Sequence, residues 1–147
     1  VDDPSWNVDG LPGISARTLT ANDLTFHYFK SDVVIGDGSS EIQLRTPGLP
    51  VVDFVLMLVQ LYREVMLSGE SIVESSQSQD SISAVRRDGV VEVSYSFSGV
   101  ISTIPLCEFK ETPRRTLRSA LEVLYSAHED LRSNDYLISL TELVRSD

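Results

Sequence analysis

The sequence predicts an α+β protein, with a mostly antiparallel sheet of four to six strands packed on a long apolar central helix and on C-terminal helices. Three observations carry this expectation. Residues 50–67, PVVDFVLMLVQLYREVML, form the most apolar run in the chain. Residues 89–99, GVVEVSYSFSG, alternate strictly, as a half-buried strand does. Leu117, Leu121, Leu124, His128 and Leu131 recur at the spacing of one helical face.

Residues 1–22 are rich in Pro, Gly, Asp and Asn and are expected to form an extended arm anchored by Trp6, ahead of a single domain over residues 23–147. LTFHYFKSDVVI, residues 24–35 with His27 inside it, and SEIQLR, residues 40–45, read as strands. GDGS between them supplies glycines that accept the positive φ of a tight turn.

Pro50 suits the first helical position and Ser68-Gly69 supplies a stop, so residues 50–67 read as a helix. A membrane span needs about 20 predominantly apolar residues, and here Asp53, Gln60, Arg63 and Glu64 interrupt the run. The helix is therefore assigned to the core. Val51, Phe54, Val55, Leu58, Leu61, Tyr62 and Val65 make one wide stripe, with Leu56, Met57, Val59, Met66 and Leu67 outside its centre. So broad an apolar surface calls for cover on more than one side, by the sheet and by the C-terminal helices or a second copy of the chain.

Residues 68–81, SGESIVESSQSQDS, are polar and low in complexity and read as a mobile loop. A meander follows: a strand over residues 82–86, the turn signal RRDG, the alternating strand, a turn at Ser98-Gly99, and a strand over residues 100–109 with Pro105 at an edge or bulge. Val91, Val93, Tyr95 and Phe97 form its inner face and Glu92, Ser94 and Ser96 its outer face. Cys107 is expected as a buried strand residue. Thr112-Pro113 then opens a helix that continues through Leu131, Ser133-Asn134 breaks it, and residues 135–146 form a last helix with Leu137, Leu140 and Val144 on one side.

Charge narrows the function classes. With 22 Asp+Glu against 12 Lys+Arg the net charge is −10, which repels nucleic acid and anionic lipid and draws in a basic protein. A single cysteine forms neither an intrachain disulfide nor a thiolate metal cluster. VDDPSWNVDGLPG carries no signal-peptide pattern, and a cytoplasmic setting is expected.

The phosphate-loop, dinucleotide, zinc-protease and esterase signatures are absent. His27 and His128 read as structural. Adjacent residues on a helix point about 100° apart, so His128, Glu129 and Asp130 do not converge on one ion. Asp37 and Glu41 in GDGSSE lack the ligand spacing of a calcium loop. No catalytic residue, metal or cofactor is assigned.

The expectation is instead a non-catalytic, acidic protein-binding module, most concretely an inhibitor or immunity-type protein that neutralises a cationic effector such as a toxin nuclease. The alternative is a homodimeric accessory or scaffold subunit that uses surplus apolar helix surface, including Met57 and Met66. Glu70, Glu74, Asp80, Glu108 and Glu111 are the partner-binding candidates, since they combine carboxylates with expected exposure. Arg114, Arg115 and Arg118 form a basic cluster in the first turns of a helix and are the weaker anion-binding candidates.

Overall fold

The structure, a computed structural model, describes residues 4–8, 15–31, 34–36, 41–43, 49–75 and 79–146. The N-terminal part contains two 3-10 turns, Pro4–Trp6 and Ala16–Thr18, and Trp6, Val8, Ala16 and Leu19 are all buried. Ser5 and Trp6 strap this part to the chain further on. Phe29 N donates to Ser5 O at 3.2 Å, Lys30 N to Ser5 Oγ at 2.9 Å, and Trp6 Nε1 to Lys30 O at 2.7 Å. The strap holds the buried Phe29 at φ 60, a conformation that a bulky residue adopts only when its surroundings impose it.

Between these anchors lies helix α1, Ala21–Phe26. It corrects the strand expected to start at residue 24. Thr20 Oγ1 accepts from Asp23 N at 3.2 Å while Asp23 Oδ2 accepts from Thr20 N at 3.0 Å, so two orphan donors of the helix start are satisfied locally. His27 is the C-cap of this helix, not a strand residue. Strands β1 (Lys30–Ser31) and β4 (Leu49–Pro50) pair antiparallel, as do β2 (Val34–Gly36) and β3 (Glu41–Gln43).

Helix α2, Val51–Ser68, ends on Gly69 at φ 86, whose N–H donates to Val65 O at 2.9 Å. It buries residues on two faces. Val52, Val55 and Val59 join Leu24, Phe29, Leu117, Leu124, Leu131, Leu137 and Leu140 in one cluster. Met57, Leu61 and Val65 join Val73, Ile82, Ala84, Val91, Val93, Tyr95 and Phe109 in the other. Met57 and Val59, expected beside the stripe, are core residues, and Met57 is not available as a docking surface.

The sheet is a four-stranded antiparallel meander of β5 (Glu70–Glu74), β6 (Ser81–Arg87), β7 (Val90–Tyr95) and β8 (Ser98–Pro105). Strand β5 replaces the expected loop over residues 68–81, of which residues 76–78 lie outside the described set. Its buried side chains are Ser71 and Val73, so the inward polar serine disguises a strand alternation in a polar composition. Asp88 at φ 47 and Gly89 at φ 86 make the tight β6–β7 turn, the backbone that Asp-Gly favours.

Strand β8 stops at Pro105, and α3, Leu106–Phe109, takes the place of the expected strand end. Cys107 is consequently exposed on a short helix, not buried in a strand. Helix α4, Thr112–Ala127, ends before the expected residue 131. His128 is extended, residues Glu129–Ser133 form a 3-10 turn, and α5 is Asp135–Ser146. Asn134 is wholly buried and joins these parts: its Oδ1 accepts from Leu137 N at 3.1 Å as the N-cap of α5. The first turn of α4 lies beside the last turn of α5, since Arg114 Nη2 donates to Arg145 O at 3.2 Å.

Candidate functional site

Two surfaces gather the residues singled out by the sequence. The first is the outer face of the sheet. Ile72, Ser83, Ser94 and Ile101 are successive cross-strand partners, forming one row over all four strands. Glu70, Val85, Glu92 and Thr103 form the next row. Ile72 is 67% exposed and Ile101 62% exposed, so the apolar ends of the first row meet solvent on both edge strands.

Three carboxylates, Glu70, Glu74 and Glu92, project from this face. Arg87 Nε lies 3.4 Å from Glu92 Oε2 and neutralises it. Glu70 and Glu74 are exposed and make no ion pair among the described residues. They flank Ile72 at alternate positions of β5, which gives the edge strand a repeating acid–apolar–acid surface.

The other partner-binding candidates lie elsewhere. Asp80 is 6% exposed, which corrects its expected exposure: the Ser75 N–H donates to Asp80 O at 3.0 Å and draws that end of the loop inward. Glu108 is exposed on α3. Glu111 is half-buried at the start of α4, with Oε1 3.7 Å from Arg114 Nη1.

The second surface is a cleft of about 410 Å³ between α4, the 3-10 turn and α5. Arg114 and Arg118, one helical turn apart, both line it, whereas Arg115 is not among its walls. The structure adds Arg132 and Arg145, which sequence reasoning missed. Their signal is tertiary: two helices joined by a short turn bring the last turn of one beside the first turn of the other. Leu117, Leu121 and Val144 supply apolar lining. The Arg132 guanidinium lies 4.8 Å from the Tyr125 ring centroid, a cation–π contact. Burial pushes the Tyr125 phenol above its usual range and Arg132 partly offsets this, so Tyr125 is a neutral hydroxyl at pH 7.

The histidines do not meet. His27 caps α1, while His128 Nε2 hydrogen-bonds the Trp6 carbonyl and so closes the N-terminal strap. Among the described residues no group of three His, Cys, Asp or Glu side chains is placed to hold a metal ion. Of the GDGSSE turn, Asp37 lies outside the described residues and Glu41 begins β3. A smaller apolar cavity of about 220 Å³ lies between the inner sheet face, α2 and the start of α4, with Phe54, Val93 and Thr116 among its walls.

These elements define an α+β protein with a four-stranded antiparallel sheet, one face of which is packed and the other open. Among the described residues no helix is long and apolar enough to cross a membrane. No family model, no curated protein and no solved structure matches the chain.

Proposed function

We propose that this protein is a non-catalytic, acidic binding module of the inhibitor or immunity type, working in the cytoplasm. It covers a cationic effector, such as a toxin nuclease, with the outer face of its sheet. The observation that supports the reading is the β5 surface, where the exposed Ile72 stands between Glu70 and Glu74, which make no ion pair among the described residues. Exposed apolar side chains give a partner contact area, and the carboxylates select a basic one and speed its encounter. The sheet is taken to rest on α2 as a long apolar central helix, which makes the face a rigid platform. A nuclease that binds phosphates must itself be positive, so an acidic cover also competes for its substrate site.

The alternative is a homodimeric scaffold that uses surplus apolar helix surface; a dimer formed through the sheet face instead would place like charges opposite one another, which is destabilising. Loss of Met57 as a surface residue removes the helix contact on which that alternative partly rested.

Site-specific photo-crosslinking tests the proposal. A benzophenone amino acid at position 72 or 101, in full-length protein in cells of the source organism, is expected to trap one basic protein. The adduct should disappear when Glu70→Lys and Glu74→Lys are added. A second copy of this chain as the adduct, an acidic partner, or equal trapping from a control position such as Val123 on α4 would overturn it.

A further inference from the structure

We infer that the α4–α5 cleft is a binding site for a small phosphorylated molecule with a flat organic body, of nucleotide-like size. It is built from helices outside the sheet and does not depend on the sheet-face reading. Four of the chain's 12 basic residues, Arg114, Arg118, Arg132 and Arg145, converge on this one cavity in a protein of net charge −10. Only one carboxylate among the described residues, Glu122, lines it with them. Gathering like charges around a common space is unfavourable unless an anion occupies it.

Three of the four guanidinium groups, those of Arg118, Arg132 and Arg145, are not spent on internal ion pairs among the described residues. Arg132 rests on the Tyr125 ring, and Arg114 is held by Glu111 and by the Arg145 carbonyl, which orients its side chain toward α5. Guanidinium forks match phosphoryl oxygens in geometry, and a local excess of two positive charges, four arginines against Glu122 and the Arg114-paired Glu111, suits a ligand bearing two or more negative ones.

The remaining walls describe the rest of the ligand. Tyr125, already stacked under Arg132, offers an aromatic face, and Leu117 and Val144 offer apolar contact. Ser126 adds a hydroxyl able to donate or accept, and Thr141, whose hydrogen goes to the Leu137 carbonyl at 2.8 Å, adds an acceptor. A volume of about 410 Å³ lies within the range of small-molecule sites, roughly 300–1,000 Å³, and is far more than an inorganic ion requires.

Calorimetric titration of the full chain with adenosine diphosphate, pyrophosphate, inorganic phosphate, citrate and adenosine tests the assignment. Adenosine diphosphate should bind saturably and more tightly than pyrophosphate, and adenosine should not bind. Arg118→Gln and Arg132→Gln, both at exposed positions, should each weaken binding about tenfold, the scale of one lost charge-assisted hydrogen bond, with melting curves like the parent's. Arg115→Gln, outside the cleft, should leave it unchanged. Absence of binding by every phosphorylated probe at millimolar concentration, an equal loss in Arg115→Gln, or tighter binding of citrate than of pyrophosphate would overturn the site. Adenosine diphosphate binding no better than pyrophosphate would remove the organic body from it.

Discussion

Asn134 and Leu19 are joined by a hydrogen bond across 115 residues: the buried Asn134 Nδ2 donates to the Leu19 carbonyl at 2.9 Å. The same amide reaches the carbonyls of Ala16 at 3.1 Å and Arg17 at 3.3 Å, while its Oδ1 caps α5. One side chain thus satisfies the N-terminal turn and the start of the last helix together. Asn134→Ala should lower unfolding free energy by about 3 kcal/mol in urea titrations, since it removes a cap and leaves buried carbonyls unpaired. Asn134→Asp should be worse, because a carboxylate would face those carbonyls.

The sheet's two faces predict opposite responses to charge. Val93 lies in the core at 4% exposure, and Val93→Asp should cost about 4 kcal/mol or more, enough to unfold the domain. Glu92→Ala and Ser94→Asp, on the outer face, should melt close to the parent. Met57→Asp should behave like Val93→Asp, because Met57 packs against the sheet and not against a partner.

How much of this could be read from the sequence depends on where the determining interactions lie. Pro50 and Gly69 mark the ends of α2, and Asp88-Gly89 marks the β6–β7 turn, because these are local backbone signals. Strand β5 was hidden by Ser71, a small polar residue turned inward where the pattern leads one to expect an apolar one. Helix α1 was hidden because Phe26, His27 and Tyr28 resemble a strand, while the Thr20–Asp23 capping box that decides the matter spans only four residues. The pairing of Arg114 and Arg118 follows from helical spacing. Their meeting with Arg132 and Arg145 depends on the α4–α5 packing, which no local pattern encodes.

Glu64 joins α2 to β5 and should report on that contact through pH. The Ser71 hydroxyl, and then the Gln60 amide, hydrogen-bond its carboxylate and hold its pKa below the ordinary value of 4.5. A carboxyl group depressed in the folded state contributes stability that is present above its unfolded value and is lost as pH falls through the lower folded one. Carboxyl-detected NMR titration should therefore place Glu64 below its unfolded value in the parent and move it upward in Ser71→Ala.

Removing the two exposed isoleucines should separate stability from recognition. Ile72→Ser with Ile101→Ser should change unfolding free energy by no more than about 0.5 kcal/mol for each, since both side chains are already in water. The same pair should sharply reduce crosslinking of the basic partner in cells.

The proposed role of the acidic face is tested most directly by association kinetics of the crosslinked partner with Glu70→Lys/Glu74→Lys against the parent. At low salt the reversed face should slow association by about tenfold or more, and the difference should close as salt is raised past the screening range. Equal rates for the two proteins at low salt would contradict the assignment of Glu70 and Glu74 as the surface that meets a cationic partner.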